Sequence, residues 1–249
     1  MPNRDPDSVN FPPFETDDLR TNLTHFLGTK VDDETTGLTR PIGNFKWAVY
    51  AFFDYDGEPI YVGQTNEMAR TRIRRHLTNQ RTDAVAMSVL DPFEVYDIEV
   101  WPLSHLQDVS RPRERTGERW EAWLSAVDEL NSLERLVYDR AIEASEFHAV
   151  LNEKDPPAAK TSLELPQSLR RSVVSPAVYA IRSHPDFRNA RRALIISRLA
   201  QVIAERKVQG GLRRVLLTQA KRLQWLAQRR YDALGGAASV ELEGEDEEV

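Results

Sequence analysis

Two strand-forming runs joined by one acidic turn constrain this chain more than any other feature. Residues 47–53, Trp-Ala-Val-Tyr-Ala-Phe-Phe, are aromatic and β-branched, the densest strand signal in the chain. Asp54-Tyr55-Asp56-Gly57 breaks the run with turn residues and residues 59–63 resume it, which predicts an antiparallel hairpin. A third strand is expected over 93–101, where apolar and polar residues alternate, with helices over 67–77 and 118–144. Upstream, residues 19–27 read as a short amphipathic helix with Thr16 or Asp17 as its N-cap. The expected fold class is α+β, a small three-stranded antiparallel sheet flanked by helices, followed by an all-helical basic domain.

Breakers and charges divide the chain further. Asp155-Pro156-Pro157 ends any helix that reaches it. The expected units are a polar N-terminal segment (1–43), a mixed α/β unit (44–155), a basic helical unit (156–236) and an acidic, disordered tail (237–249). Helices are expected at 187–206 and 212–234, separated by Gly210-Gly211 and ended by Gly235-Gly236. Residues 166–234 contain 15 Lys and Arg against three acids, while residues 241–249 contain six acids and no base. A net charge of −6 therefore hides a strongly basic segment. Arg191, Arg192, Arg213 and Arg214 make that segment a candidate for DNA contact; helix docking or homodimerisation is the other reading.

The absence of cysteine excludes a disulfide scaffold, a thiolate zinc site and a cysteine nucleophile. The longest clean apolar run is far shorter than the ~20 residues of a transmembrane helix, and the acidic, Pro-rich start is unlike a signal peptide. A cytoplasmic protein with no membrane partner is expected.

Two positions stand out chemically. Projected on a helix, Trp123, Leu124, Val127, Leu130, Tyr138 and Ala141 share one arc, and Glu134 falls in its middle. A carboxylate on an apolar stripe is unfavourable unless it is paired or holds a metal, and on this fact alone a buried salt bridge is the simpler reading. Arg72 and His76 lie one turn apart on a face shared with Met68, Ala69 and Ile73. Around them, the run 69–81 has five arginines and no acid, so Arg70, Arg74 and Arg75 suit phosphate contact, with Lys46 as an auxiliary phosphate ligand.

In order along the chain come Ala48-Val49-Tyr50, Tyr61-Val62-Gly63, the Arg72/His76 helix, a third strand, Glu134 within Ser132-Leu133-Glu134-Arg135, and Asn152. This set, over about residues 44–155, resembles the GIY-YIG nuclease family. Ala48 stands where the family has its first glycine, and the segment before Glu134 is longer than in minimal members. The resemblance implies a magnesium-dependent DNA endonuclease. Glu134 would hold one Mg²⁺, replaceable by Mn²⁺, against the scissile phosphate and the departing 3′-oxygen. Tyr50 would activate or orient the attacking water with Tyr61 or His76 as proton partner. Arg72 would neutralise the phosphate oxygens and favour a phenolate-like Tyr50, and Asn152 would orient by hydrogen bonding. A restriction or anti-invader enzyme is the first reading. The alternatives are a structure-selective or single-strand nuclease in repair, recombination or mobile-element biology, and a non-catalytic DNA-binding protein that keeps the fold.

Overall fold

A computed structural model describes residues 14–32, 37, 39–78 and 89–236; the acidic tail and Arg81 lie outside the described residues. Helix α1 (Phe14–Gly28) leads into a small antiparallel ladder of β1 (Lys30–Asp32) and β2 (Thr39–Pro41). The hairpin follows as β3 (Ala48–Phe53) and β4 (Pro59–Thr65), then α2 (Ala69–Leu77), β5 (Asp97–Pro102) and the long α3 (Glu118–Ala144). β6 (Leu169–Ser172) precedes three helices, α4 (Pro176–Arg182), α5 (Pro185–Glu205) and α6 (Gly210–Ala233).

The main sheet runs β4-β3-β5-β6, antiparallel throughout. β3 is central, and the two-residue period of a strand sends its side chains alternately to two cores. Ala48, Tyr50 and Phe52 pack with α1, α2 and the C-terminal helices through Leu23, Ile73, Leu199, Leu212 and Val215. Trp47, Val49 and Ala51 pack on the other face against Ala126, Leu130, Leu133 and Val137 of α3. The connecting turn closes by Gly57 N–H donating to the Asp54 carbonyl at 3.0 Å, with Gly57 at φ 78°, a conformation that disfavours any side chain.

Five expectations need correction. The sheet has four strands, because β6 pairs with the β5 edge; such pairing is made by backbone groups, and Leu169-Arg170-Arg171-Ser172 carries no alternating apolar pattern to announce it. The same strand means that the C-terminal unit is not all-helical. The third strand starts at Asp97 rather than Phe93, since Asp91 caps the Phe93 N–H at 3.0 Å and Pro92–Glu94 forms a 3-10 turn. α1 begins at Phe14, so Thr16 and Asp17 lie inside it, and Gly210-Gly211 opens α6 instead of preceding it.

The C-terminal helices are bolted to the hairpin by buried charge. Asp54, 1% exposed, receives Arg222 at 2.6 Å, Arg192 at 2.8 Å and Arg188 at 3.1 Å on Oδ2. Its Oδ1 accepts the Asp56 and Glu58 N–H groups of the hairpin turn at 2.9 and 3.1 Å. Glu94 adds an acceptor for Arg192 at 3.2 Å. A buried charge cluster of this kind persists because each guanidinium has an acid within reach.

Candidate active site

Tyr50 sits on β3 opposite Gly63 of β4, and its ring is wholly buried. A Cβ on Gly63 would lie 2.6 Å from the Tyr50 hydroxyl and 2.9 Å from the Tyr61 ring, so only glycine lets the phenol lie across the strand. Tyr61 and His76 complete the cluster, with ring centroids 6.3 Å (Tyr50–Tyr61), 5.9 Å (Tyr50–His76) and 5.2 Å (Tyr61–His76) apart. His76 reaches the tyrosines because Ile73 and Leu77 bury the adjacent side of α2.

Among the described residues, neither the Tyr50 hydroxyl nor the Arg72 Nε has a hydrogen bond of regular geometry. Burial, then Tyr61, push the Tyr50 pKa well above its ordinary value, and the adjacent Arg72 lowers it by less. Tyr50 is thus a neutral phenol near pH 7, and the expectation that Arg72 brings it close to a phenolate does not hold for the protein alone.

Glu134 projects from α3 into a cleft of about 420 Å³ lined also by Tyr61, His76, Leu151 and Asn152. It is 9% exposed, and its carboxylate makes no hydrogen bond or ion pair with any described residue; the buried salt bridge is not there. Desolvation raises its pKa to about 7, opposed by Arg72. The buried stripe of α3 is rotated toward Leu133 and Val137, leaving Leu124 exposed, and Glu134 stays within it between Ala141 and Tyr138. Groups of three or more His, Cys, Asp or Glu able to share a metal are absent among the described residues. One semi-buried carboxylate without a partner fits a hard divalent cation that keeps most of its waters.

Asn152 is buried and does not face reacting groups through its amide. Its Nδ2 donates to the Val62 carbonyl at 2.7 Å and its Oδ1 accepts the Val62 N–H at 3.0 Å. It therefore acts as an extra rung on β4, fixing the strand that carries Tyr61 and Gly63. Gln64, directly after the Tyr61-Val62-Gly63 triplet, has a partner that the sequence did not reveal: its Nε2 donates to Asn131 of α3 at 2.8 Å, tying β4 to the helix that bears Glu134.

Residues 46–115 match the GIY-YIG catalytic domain. This part of the chain is a GIY-YIG domain. No curated protein and no solved structure is similar enough to the chain to count as a match. The matched GIY-YIG segment covers β3 to β5 and so includes Tyr50, Tyr61, Arg72 and His76; Glu134 and Asn152 lie beyond it and are brought to the same cleft by the fold.

The expected DNA-contacting cations fare differently. Beside the GIY-YIG cluster, Arg70 donates to the Gly43 carbonyl at 3.4 Å, Arg74 to Thr24 at 3.0 Å, and Arg75 pairs with Glu67 at 2.8 Å. Lys46 is exposed but lines a separate surface cavity with Met68, Arg111 and Trp123. Arg192 is buried against Asp54 and Glu94, and Arg191 is bidentate to Asp91 at 2.6 and 2.9 Å, so neither guanidinium is offered to a phosphate. Arg214 pairs with Asp155 at 2.8 Å, whereas Arg213 is exposed. No described helix is long and apolar enough to cross a membrane.

Proposed function

We propose that this GIY-YIG nuclease domain makes the chain a metal-dependent DNA endonuclease of restriction or anti-invader type. The observation that carries the reading is the buried Glu134 carboxylate, which makes no ion pair among the described residues, sharing one cleft with Tyr61 and His76 beside the buried Tyr50 and Arg72. Glu134 would hold a single Mg²⁺ or Mn²⁺, which when bound supplies Lewis-acid stabilisation of charge on the phosphate and the departing oxygen. Tyr50, kept neutral by burial, orients the attacking water by hydrogen bonding. His76, packed on both tyrosine rings, is the imidazole placed to accept the proton. Arg72, held on the same face of α2, neutralises a non-bridging phosphate oxygen.

Supercoiled plasmid is incubated with Mg²⁺ and wild type, wild type plus EDTA, or Glu134→Ala. Discrete linear fragments from wild type alone are expected. Cleavage confined to branched or single-stranded DNA would replace the restriction reading with the structure-selective one. Wild type that cuts no DNA with either Mg²⁺ or Mn²⁺ would sink the nuclease assignment.

A further inference from the structure

The basic residues of the C-terminal helices fall into two sets. Arg188, Arg192 and Arg222 are buried in acid pairs, and Arg191, Arg229 and Arg230 reach Asp91, Asp56 and Asp186. The other set is exposed, and no ion pair holds it among the described residues: Arg198 along α5, Arg206 and Lys207 where α5 turns into α6, Arg213 in the first turn of α6 and Lys221 midway along it. Arg213 and Lys221 are two turns apart on one face of α6, about 12 Å along its axis, the rise of three to four base pairs at ~3.4 Å each.

This corner is fixed to the wall of the Glu134 cleft. Gly211 lies so close to the backbone of Glu153 that a Cβ would come within 1.8 Å of its carbonyl oxygen. Arg214 grips Asp155 at 2.8 Å and the Asn152 carbonyl at 3.4 Å, and the Tyr138 hydroxyl donates to the same Asp155 at 2.6 Å. Glu153, Lys154 and Asp155 themselves line the cleft, and Lys154 is exposed there. The acids nearby are Glu153, Asp155, already neutralised by Arg214, and Glu205, which accepts from Gln201 at 2.8 Å.

We propose that the α5–α6 corner, with Lys154, Arg206, Lys207, Arg213 and Lys221, is the surface that leads the DNA backbone into the Glu134 cleft. The inference rests on the nuclease reading and assigns DNA contact to this corner in place of the Arg191/Arg192 region. Phosphate neutralisation at such a surface is read in the salt dependence of binding.

The test measures binding of a fluorescein-labelled duplex to the full chain carrying Glu134→Gln, across a salt series. In that background Lys207→Gln/Arg213→Gln/Lys221→Gln is compared with Arg119→Gln/Arg171→Gln/Arg229→Gln, which removes equal charge elsewhere. Each lost phosphate contact lowers the slope of log K against log salt by about 0.9, so the corner variant is expected to lose about 2–3 while the control keeps the parental slope. Arg213→Gln alone, with unchanged thermal unfolding, should lose about 0.9. An unchanged slope in the corner variants, an equal loss in the control, or no duplex binding by the parent at low salt would overturn the proposal. Plasmid cleavage by wild type is followed in parallel. Corner-dependent binding without cleavage would defeat the nuclease reading alone, and cleavage with corner-independent binding would defeat the corner alone.

Discussion

Tyr50 and Glu134 meet the same physical problem, since burial penalises the charged form of each. For Glu134 the folded-state pKa of about 7 exceeds the ordinary 4.5, so the folded protein holds the extra proton between those values. Stability of the metal-free protein is then fully retained at low pH and declines as pH rises through that window. Glu134→Gln should raise the unfolding temperature at pH 8 and leave it nearly unchanged at pH 5, with a ceiling of about 3 kcal/mol. Equal shifts at both pH values would show that burial is not the cause. Tyr50→Phe removes a buried hydroxyl without a regular partner, so chemical denaturation should show stability kept or improved by up to about 1–3 kcal/mol. Cleavage should nonetheless fall by about 10²–10⁴-fold if the hydroxyl orients the nucleophile. A destabilised but active Tyr50→Phe would contradict both parts.

At the scale of elements, β4 is an edge strand that must present Tyr61 accurately with a ladder partner on one side only. Two rungs come from the other side: the Leu151 N–H donates to the Ile60 carbonyl at 2.8 Å, and the Asn152 amide bonds Val62. Asn152→Ala strands a buried N–H and a buried C=O, each worth about 1–3 kcal/mol. A lower unfolding temperature and lost amide-exchange protection at Val62 are expected, and unchanged Val62 protection would show that the rung is dispensable. The sequence placed Asn152 after the long helix and suggested an orienting role, but which groups it orients depends on how residue 152 meets residue 62 in space. The bounds of α3 were legible to the residue, because its periodic run starts after Gly117 and stops at Ser145. β6 and α4 were not; α4 carried a usable signal in Ser175-Pro176, with the Ser175 side chain accepting the Val178 N–H at 3.3 Å.

For the whole molecule, one aspartate in the hairpin turn joins the GIY-YIG domain to the basic helices. Asp54→Ala leaves Arg188, Arg192 and Arg222 buried without their shared partner, which should cost about 3–5 kcal/mol. A matching drop in the urea midpoint is expected, with faster proteolysis between β6 and α5 as the helices loosen. A loss below about 1 kcal/mol would mean that apolar contacts such as Leu199, Leu212 and Val215 hold the joint without the charges.

The amino-acid sequence alone determined the hairpin, the long helix and the lack of thiol chemistry, because strand and helix periodicity and turn chemistry are local properties, while the ordered set Tyr50, Tyr61, Arg72, His76, Glu134 and Asn152 came from the resemblance to the GIY-YIG family. It also showed that residues 166–234 are basic, but not which of those cations are available. Only the tertiary structure decided that Glu134 has no salt-bridge partner among the described residues, that burial raises the Tyr50 pKa, and that Arg192 is held by Asp54 while Arg213 stays exposed. Desolvation and charge pairing depend on distances between residues far apart in the chain, and periodicity carries no record of those distances.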